Sequence, residues 1–205
     1  MKTLKPFINI LLTTLLIVGS ASAQSLVTHE KMTNAVFDKE GNLVITPSKN
    51  SSARDFDFLT GNWTMDNKKL KSRLTNSTEW MEFQSTSENL GSVLNGIGNI
   101  DFYRTTFDGK PFEGLIVRIF NPATRLWSLY WVASDVGGMD PPVVGSFEGT
   151  VGRFYCKDVY KGTPVIVVFK WDKTDAENPV WSQAFSADNG KSWEWNYSNV
   201  SHKAK

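Results

Sequence analysis

The 205-residue chain carries 22 Lys+Arg against 21 Asp+Glu, with 13 Phe, 8 Trp, 5 Tyr, one Cys and two His. A net charge of +1 supplies no field for nucleic acid or an anionic membrane surface, one Cys excludes an intrachain disulfide framework, and two His leave little for a histidine metal site. With 40% apolar residues the chain is expected to bury a core rather than stay disordered.

Residues 1–23 read as a secretory signal peptide. Two lysines, Lys2 and Lys5, precede an apolar run from Phe7 to Val18, and small residues end at Ala21-Ser22-Ala23. The run is too short to span a bilayer, so cleavage after Ala23 is expected, with export to a periplasmic or extracellular space and no membrane attachment afterwards. Losing Lys2 and Lys5 turns one net positive charge into one net negative. In an oxidising space Cys156, set in the strand-like run Phe154-Tyr155-Cys156-Lys157, reads as a small buried side chain rather than a nucleophile.

Residues 24–53 contain no Trp and end in a polar stretch. They read as an extension, with a hairpin in which Val36-Phe37 and Leu43-Val44-Ile45 flank a turn. Residues 54–205 read as the compact domain, since every Trp lies between Trp63 and Trp195. After a helical turn near Asp55–Leu59, β-prone runs are predicted at 62–72, 78–89, 92–106, 112–120, 125–133, 143–148, 151–159, 163–172, 179–186 and 192–203. Turn signals such as Asp108-Gly109, Lys161-Gly162 and Asp188-Asn189-Gly190 punctuate them. The fold class is all-β: about ten strands in an up-and-down antiparallel meander. Closure into a barrel is favoured because it removes both edges, and a two-sheet sandwich is the competing arrangement.

Asp57-Phe58-Leu59-Thr60-Gly61-Asn62-Trp63 resembles the opening motif of lipocalins and related calycin barrels. The resemblance implies that Trp63 packs across a closed barrel end, against a basic residue near the C-terminus for which Lys203 is suitably placed. Longer blocks, including Leu94-Asn95-Gly96-Ile97-Gly98-Asn99-Ile100-Asp101 and the stretch from Trp181 to Tyr197, resemble an uncharacterised bacterial family, many of whose members are secreted. That resemblance implies a calycin-like barrel and transfers no catalytic residue.

The segment Ser186 to Trp193 matches the Asp-box of sialidase propellers, but one copy on ten strands is explained by turn chemistry. Asp135 and Asp140, in the loop before Val143, lack the ligand spacing of a calcium site, and neither metal nor cofactor is expected. Trp127, Leu129 and Trp131 share a strand face, as do Trp181 and Gln183. Glu194, Asn196 and Ser198 are expected opposite Trp193, Trp195 and Tyr197. Arg118, amid Leu115-Ile116-Val117 and Ile119-Phe120, either enters the interior, where it needs a counterion such as Glu82, or snorkels outward.

Core packing is the default role for such aromatics, yet walls of flat rings beside a few polar groups also build small-ligand sites. The leading expectation is an exported protein that binds a small apolar or aromatic ligand in the barrel, through Glu82, Arg118, Trp127, Trp131, Trp181 and Gln183. An enzyme in the same cavity, with Glu82 or Asp140 as acid/base and Arg118 as anion stabiliser, is the alternative, although no catalytic motif supports it. Haem binding, by similarity to the small nitrobindin barrels that use a late-strand histidine, would have only His202 to draw on.

Overall fold

A computed structural model describes residues 27–204, so the predicted signal peptide lies outside the described residues. The strands are β1 (Val27–Thr28), β2 (Ala35–Phe37), β3 (Leu43–Ile45), β4 (Gly61–Leu70), β5 (Trp80–Val93), β6 (Gly98–Phe107), β7 (Lys110–Asn121), β8 (Leu126–Ala133), β9 (Val143–Glu148), β10 (Val151–Tyr160), β11 (Thr163–Asp172), β12 (Val180–Ser186) and β13 (Trp193–Lys203). Among the described residues, two 3-10 turns, Asp57–Leu59 and Leu94–Gly96, are all that interrupts this all-β pattern.

From β4 to β13 each strand pairs antiparallel with the next, and β13 returns to pair with β4. The result is a closed ten-stranded antiparallel barrel. Closure satisfies the outer hydrogen-bonding groups of the first and last strands, which an open meander would leave as edges. Tight two-residue turns make the chain reversal local. Asp108-Gly109 and Lys161-Gly162 hold φ of 50° and 76°, and 48° and 84°, the pair of left-handed residues that matches the twist of a hairpin.

One predicted boundary moves. The sequence placed a break near Leu90-Gly91, but β5 runs on to Val93 through a register shift between Asn89 and Ser92, and the reversal falls at Leu94–Gly96. Gly91, at φ 74°, is the bulge residue rather than the turn.

The two barrel ends differ. At the end holding the Asp57–Leu59 turn, Phe56 is 1% exposed and lies 5.0 Å from the Trp127 ring, 5.2 Å from Phe147 and 5.6 Å from Phe154. Leu59, Phe120, Val143 and Trp171 complete this plug. Trp63 lies across the same end, its Nε1 donating to the Leu59 carbonyl at 2.6 Å, with Lys203 Nζ 5.6 Å from its ring. Trp63 and Lys203 therefore meet across this end of the barrel.

The extension is less peripheral than its polar composition suggests. β2 and β3 form a hairpin whose inner side, with Met32, Ala35, Phe37, Leu43 and Ile45, packs on Tyr155, Ile166, Val168, Ala184, Trp193 and Trp195. These barrel residues sit on the outer face of β10–β13, so this quarter of the wall is buried on both sides. That explains the unbroken apolar run Val165-Ile166-Val167-Val168-Phe169, where alternation would mark a wall facing water. β1 adds to the start of β13, where β4 no longer reaches.

Candidate functional site

Strand alternation turns Phe83 of β5, Tyr103 and Phe107 of β6, Phe112 of β7, Trp131 of β8, Phe169 of β11, Trp181 of β12 and Tyr197 of β13 toward the interior. Adjacent rings touch in sequence. Phe169 to Trp181 and Trp181 to Tyr197 are 5.0 Å apart, Tyr197 to Phe83 is 6.2 Å, and Phe83 to Phe107 is 5.0 Å. Phe107 to Phe112 is 5.3 Å, Phe112 to Trp131 is 6.4 Å, and Trp131 to Tyr103 is 5.7 Å. All but the buried Tyr103 are half-buried, so solvent reaches rings that point inward. Trp131 fits because Gly114 on the neighbouring strand has no side chain: a Cβ there would lie 2.1 Å from the indole.

Polar groups are set into this aromatic arc. Tyr197 donates its hydroxyl hydrogen to Asn67 Oδ1 at 3.0 Å, Asn67 Nδ2 donates to Ser85 Oγ at 2.7 Å, and the Tyr103 and Tyr197 hydroxyls are 3.4 Å apart. Burial holds both phenols above their ordinary range, so they stay protonated donors at neutral pH. Lys69 lies over the Tyr197 ring at 5.5 Å; burial, then the neighbouring Arg73, lower its pKa, while Asp135 opposes them.

Gln183 also faces inward and donates from Nε2 to Asn196 Oδ1 at 2.9 Å. Asn196 is the extra residue of a bulge, where the β12–β13 register slips between Gln183 and Ala184. This corrects the predicted alternation of β13. Past the bulge Tyr197 joins Glu194 and Asn196 on the inside, while Trp193 and Trp195 remain outside.

The candidate residues thus separate. Trp131, Trp181 and Gln183 face the interior among these rings and amides. Trp127 sits in the plug at 1% exposure, donating from Nε1 to the Ser52 carbonyl at 3.1 Å. Arg118 does enter the interior, at 2% exposure, but its counterion is not Glu82. Its Nη2 donates to Asp101 Oδ2 at 2.6 Å and its Nη1 to Asn99 Oδ1 at 2.7 Å, with the Phe56 ring 4.9 Å away. Asn89 bonds to both partners and completes the cluster. Glu82 faces outward and pairs with Lys68 at 3.4 Å, since strand alternation puts it opposite to Phe83. Glu82 and Arg118 therefore cannot act together on one bound molecule.

His202 is on the outer face, its ring nitrogens 2.8 Å from Asn178 Oδ1 and 3.1 Å from Asp66 Oδ2, which removes it as an axial ligand inside the barrel. Cys156 is turned inward. Burial, followed by Asp158 and Asp140, pushes its thiol up to about 12, so the thiolate needed of a nucleophile is scarce. The Asp-box behaves as a turn: Ser186 Oγ donates to Asp188 Oδ1, and the backbone N–H groups of Lys191 and Ser192 donate to the same oxygen. Among the described residues, no group of three or more His, Cys, Asp or Glu side chains is arranged to hold a metal ion.

Lys69, Tyr103, Glu194, Asn196 and Tyr197 were not anticipated as site residues. Their signal was present in part, as alternation on β4, β6 and β13, but it becomes usable only once the inner face of each strand is known.

No protein-family model matches the chain, and no curated protein matches it. Among solved structures it is similar to the crystal structure of Rv2717c from M. tuberculosis, with a TM-score of 0.48 at 14% identity over 75% of this chain and 98% of that one.

Proposed function

We propose that this is an exported binding protein that takes a small apolar or aromatic molecule into the open end of a calycin-like barrel. The observation that carries the reading is the continuous arc of inward-facing, half-exposed rings from Phe169 to Trp131, interrupted by the hydroxyls of Tyr103 and Tyr197. Rings left partly wet on an inner wall lower the cost of admitting an apolar body, because ligand and wall both lose contact with water. Buried hydroxyls and amides then fix its orientation.

The neutral probe N-phenyl-1-naphthylamine tests this, since its emission rises in apolar surroundings. Saturable uptake is expected, weakened about tenfold or more by Trp131→Ala and by Trp181→Ala but not by Trp80→Ala on the outer face. Uptake unchanged by both inner substitutions, or no uptake, would overturn the reading. Export is proposed from the Met1–Ala23 pattern. A protein recovered outside the cytoplasm with the mass of a chain beginning at Gln24 is the expected result, and retention of the full-length chain in the cytoplasm the contrary one.

A further inference from the structure

Residues 71–79 join β4 to β5 at the barrel end opposite the Asp57–Leu59 turn. Lys71 closes the stem, its N–H donating to the Glu79 carbonyl at 2.9 Å and its Nζ to the Glu79 carboxylate at 3.3 Å. Between these anchors the loop turns in over the barrel. The Arg73 guanidinium lies 5.3 Å from the Phe185 ring and 5.8 Å from that of Tyr160, and Leu74 packs against the inner core cluster. The Leu74 N–H donates to both carboxylate oxygens of Glu194, at 2.9 Å each.

Glu194 is 6% exposed, and among the described residues its side chain accepts hydrogen bonds from that one N–H alone. The Arg73 guanidinium of the same loop supplies its counter-charge, an attraction that opposes the cost of burying Arg73. Two residues along β13, Asn196 is 0% exposed, and its Nδ2 has no partner among the described residues. Two residues apart on one strand, Glu194 thus has acceptor capacity beyond that N–H and Asn196 has a spare donor.

We propose that residues 71–79 are a lid that fills the barrel mouth with a stand-in for the ligand, and that the ligand is an amphipathic cation, an amine or guanidine on an apolar or aromatic body. The proposal rests on the reading of the mouth as a binding site and supplies the chemistry of the ligand's polar end. The lid makes the three contacts such a molecule would make: a cation over two rings, an apolar group on the inner cluster, and an N–H on Glu194. Charge favours the same class. When Arg73 leaves with the lid, the strand ends and turns here retain Glu194, Asp108, Asp135, Asp140, Asp158 and Asp188 against Lys69, Lys110, Lys161 and Lys191, a surplus of acid that attracts cations and repels anions.

The test is displacement of N-phenyl-1-naphthylamine from the purified protein by three molecules of one shape: 2-phenylethylamine, 2-phenylethanol and 3-phenylpropionate. The amine is expected to displace at least ten times more effectively than the other two. Glu194→Gln should abolish that preference while leaving uptake of the neutral probe, which also reports that the variant is folded. Arg73→Ala combined with Leu74→Gly removes the stand-in and should strengthen amine binding several-fold. A preference for the acid or the alcohol, or amine binding that the double substitution leaves unchanged, would overturn the cation and lid proposal while the binding site itself stood. No uptake of the probe, or uptake that Trp131→Ala and Trp181→Ala both leave unchanged, would instead remove the site.

Discussion

Arg118 shows how a single buried charge is held. It meets Asp101 at 2.6 Å and Asn99 at 2.7 Å, inside a wall where neither charge is hydrated. Removing one member of such a pair leaves the other unpaired, so Arg118→Met is expected to cost about 3–5 kcal/mol. Adding Asp101→Leu to it should recover most of that loss, as read from urea unfolding midpoints. Asp188 makes a smaller, pH-dependent contribution. Burial raises its pKa, but donors from Ser192, Ser186 and Lys191 prevail and hold the carboxyl at about 2, below its ordinary 3.8. A lowered folded-state pKa means stability that is complete above the ordinary value and is lost as pH falls toward 2. Wild type should therefore be more stable than Asp188→Asn at pH 6, with the gap narrowing between pH 4 and pH 2 in thermal melts. Arg118 was recognisable in the sequence as a charge needing a partner. Its partner was not, because Asp101 and Glu82 are equally plausible until the register of β6 against β7 is known.

At the level of strands and turns, the sequence was most informative where local chemistry decides. The paired left-handed residues Asp108-Gly109 and Lys161-Gly162 marked hairpins, and the Asp-box marked the β12–β13 turn. It was least informative where an irregularity shifts the faces. The bulge at Asn196 reverses the side of everything that follows on β13, and nothing in Glu194-Trp195-Asn196-Tyr197 announces it. Close approach of two strands is equally hidden. At Gly145 of β9 an added Cβ would lie 1.9 Å from the Arg153 backbone carbonyl of β10, an atom that cannot rotate away. Gly145→Ala should consequently push these strands apart and destabilise toward the upper end of roughly 1–3 kcal/mol, measurable as a lowered Tm.

Across the whole molecule, the eight tryptophans of the sequence resolve into separate duties. Trp63, Trp127 and Trp171 close one end, Trp131 and Trp181 join the interior ring arc, Trp193 and Trp195 lie beneath the β2–β3 hairpin, and Trp80 lies outside under Lys68. The barrel itself was legible because ten strands separated by short turns leave few other topologies. The hairpin's tight seat was not, because its apolar residues are sparse and their partners lie more than a hundred positions away. Replacing Phe37 and Leu43 together by Ser should release it, with a red shift of tryptophan emission and trypsin cleavage at Lys39, at a cost of about 1–2 kcal/mol per half-buried side chain. The seam between β4 and β13 carries a further consequence for how the molecule comes into being. Trp63 faces Lys203 across it, so the first barrel strand to emerge is paired on one side only until the last has been made. Throughout synthesis β4 must remain an open edge. The growing chain is thus most vulnerable to association with its neighbours until β13 arrives, and a chain lacking β13 would retain nearly all its hairpins yet stay prone to aggregate.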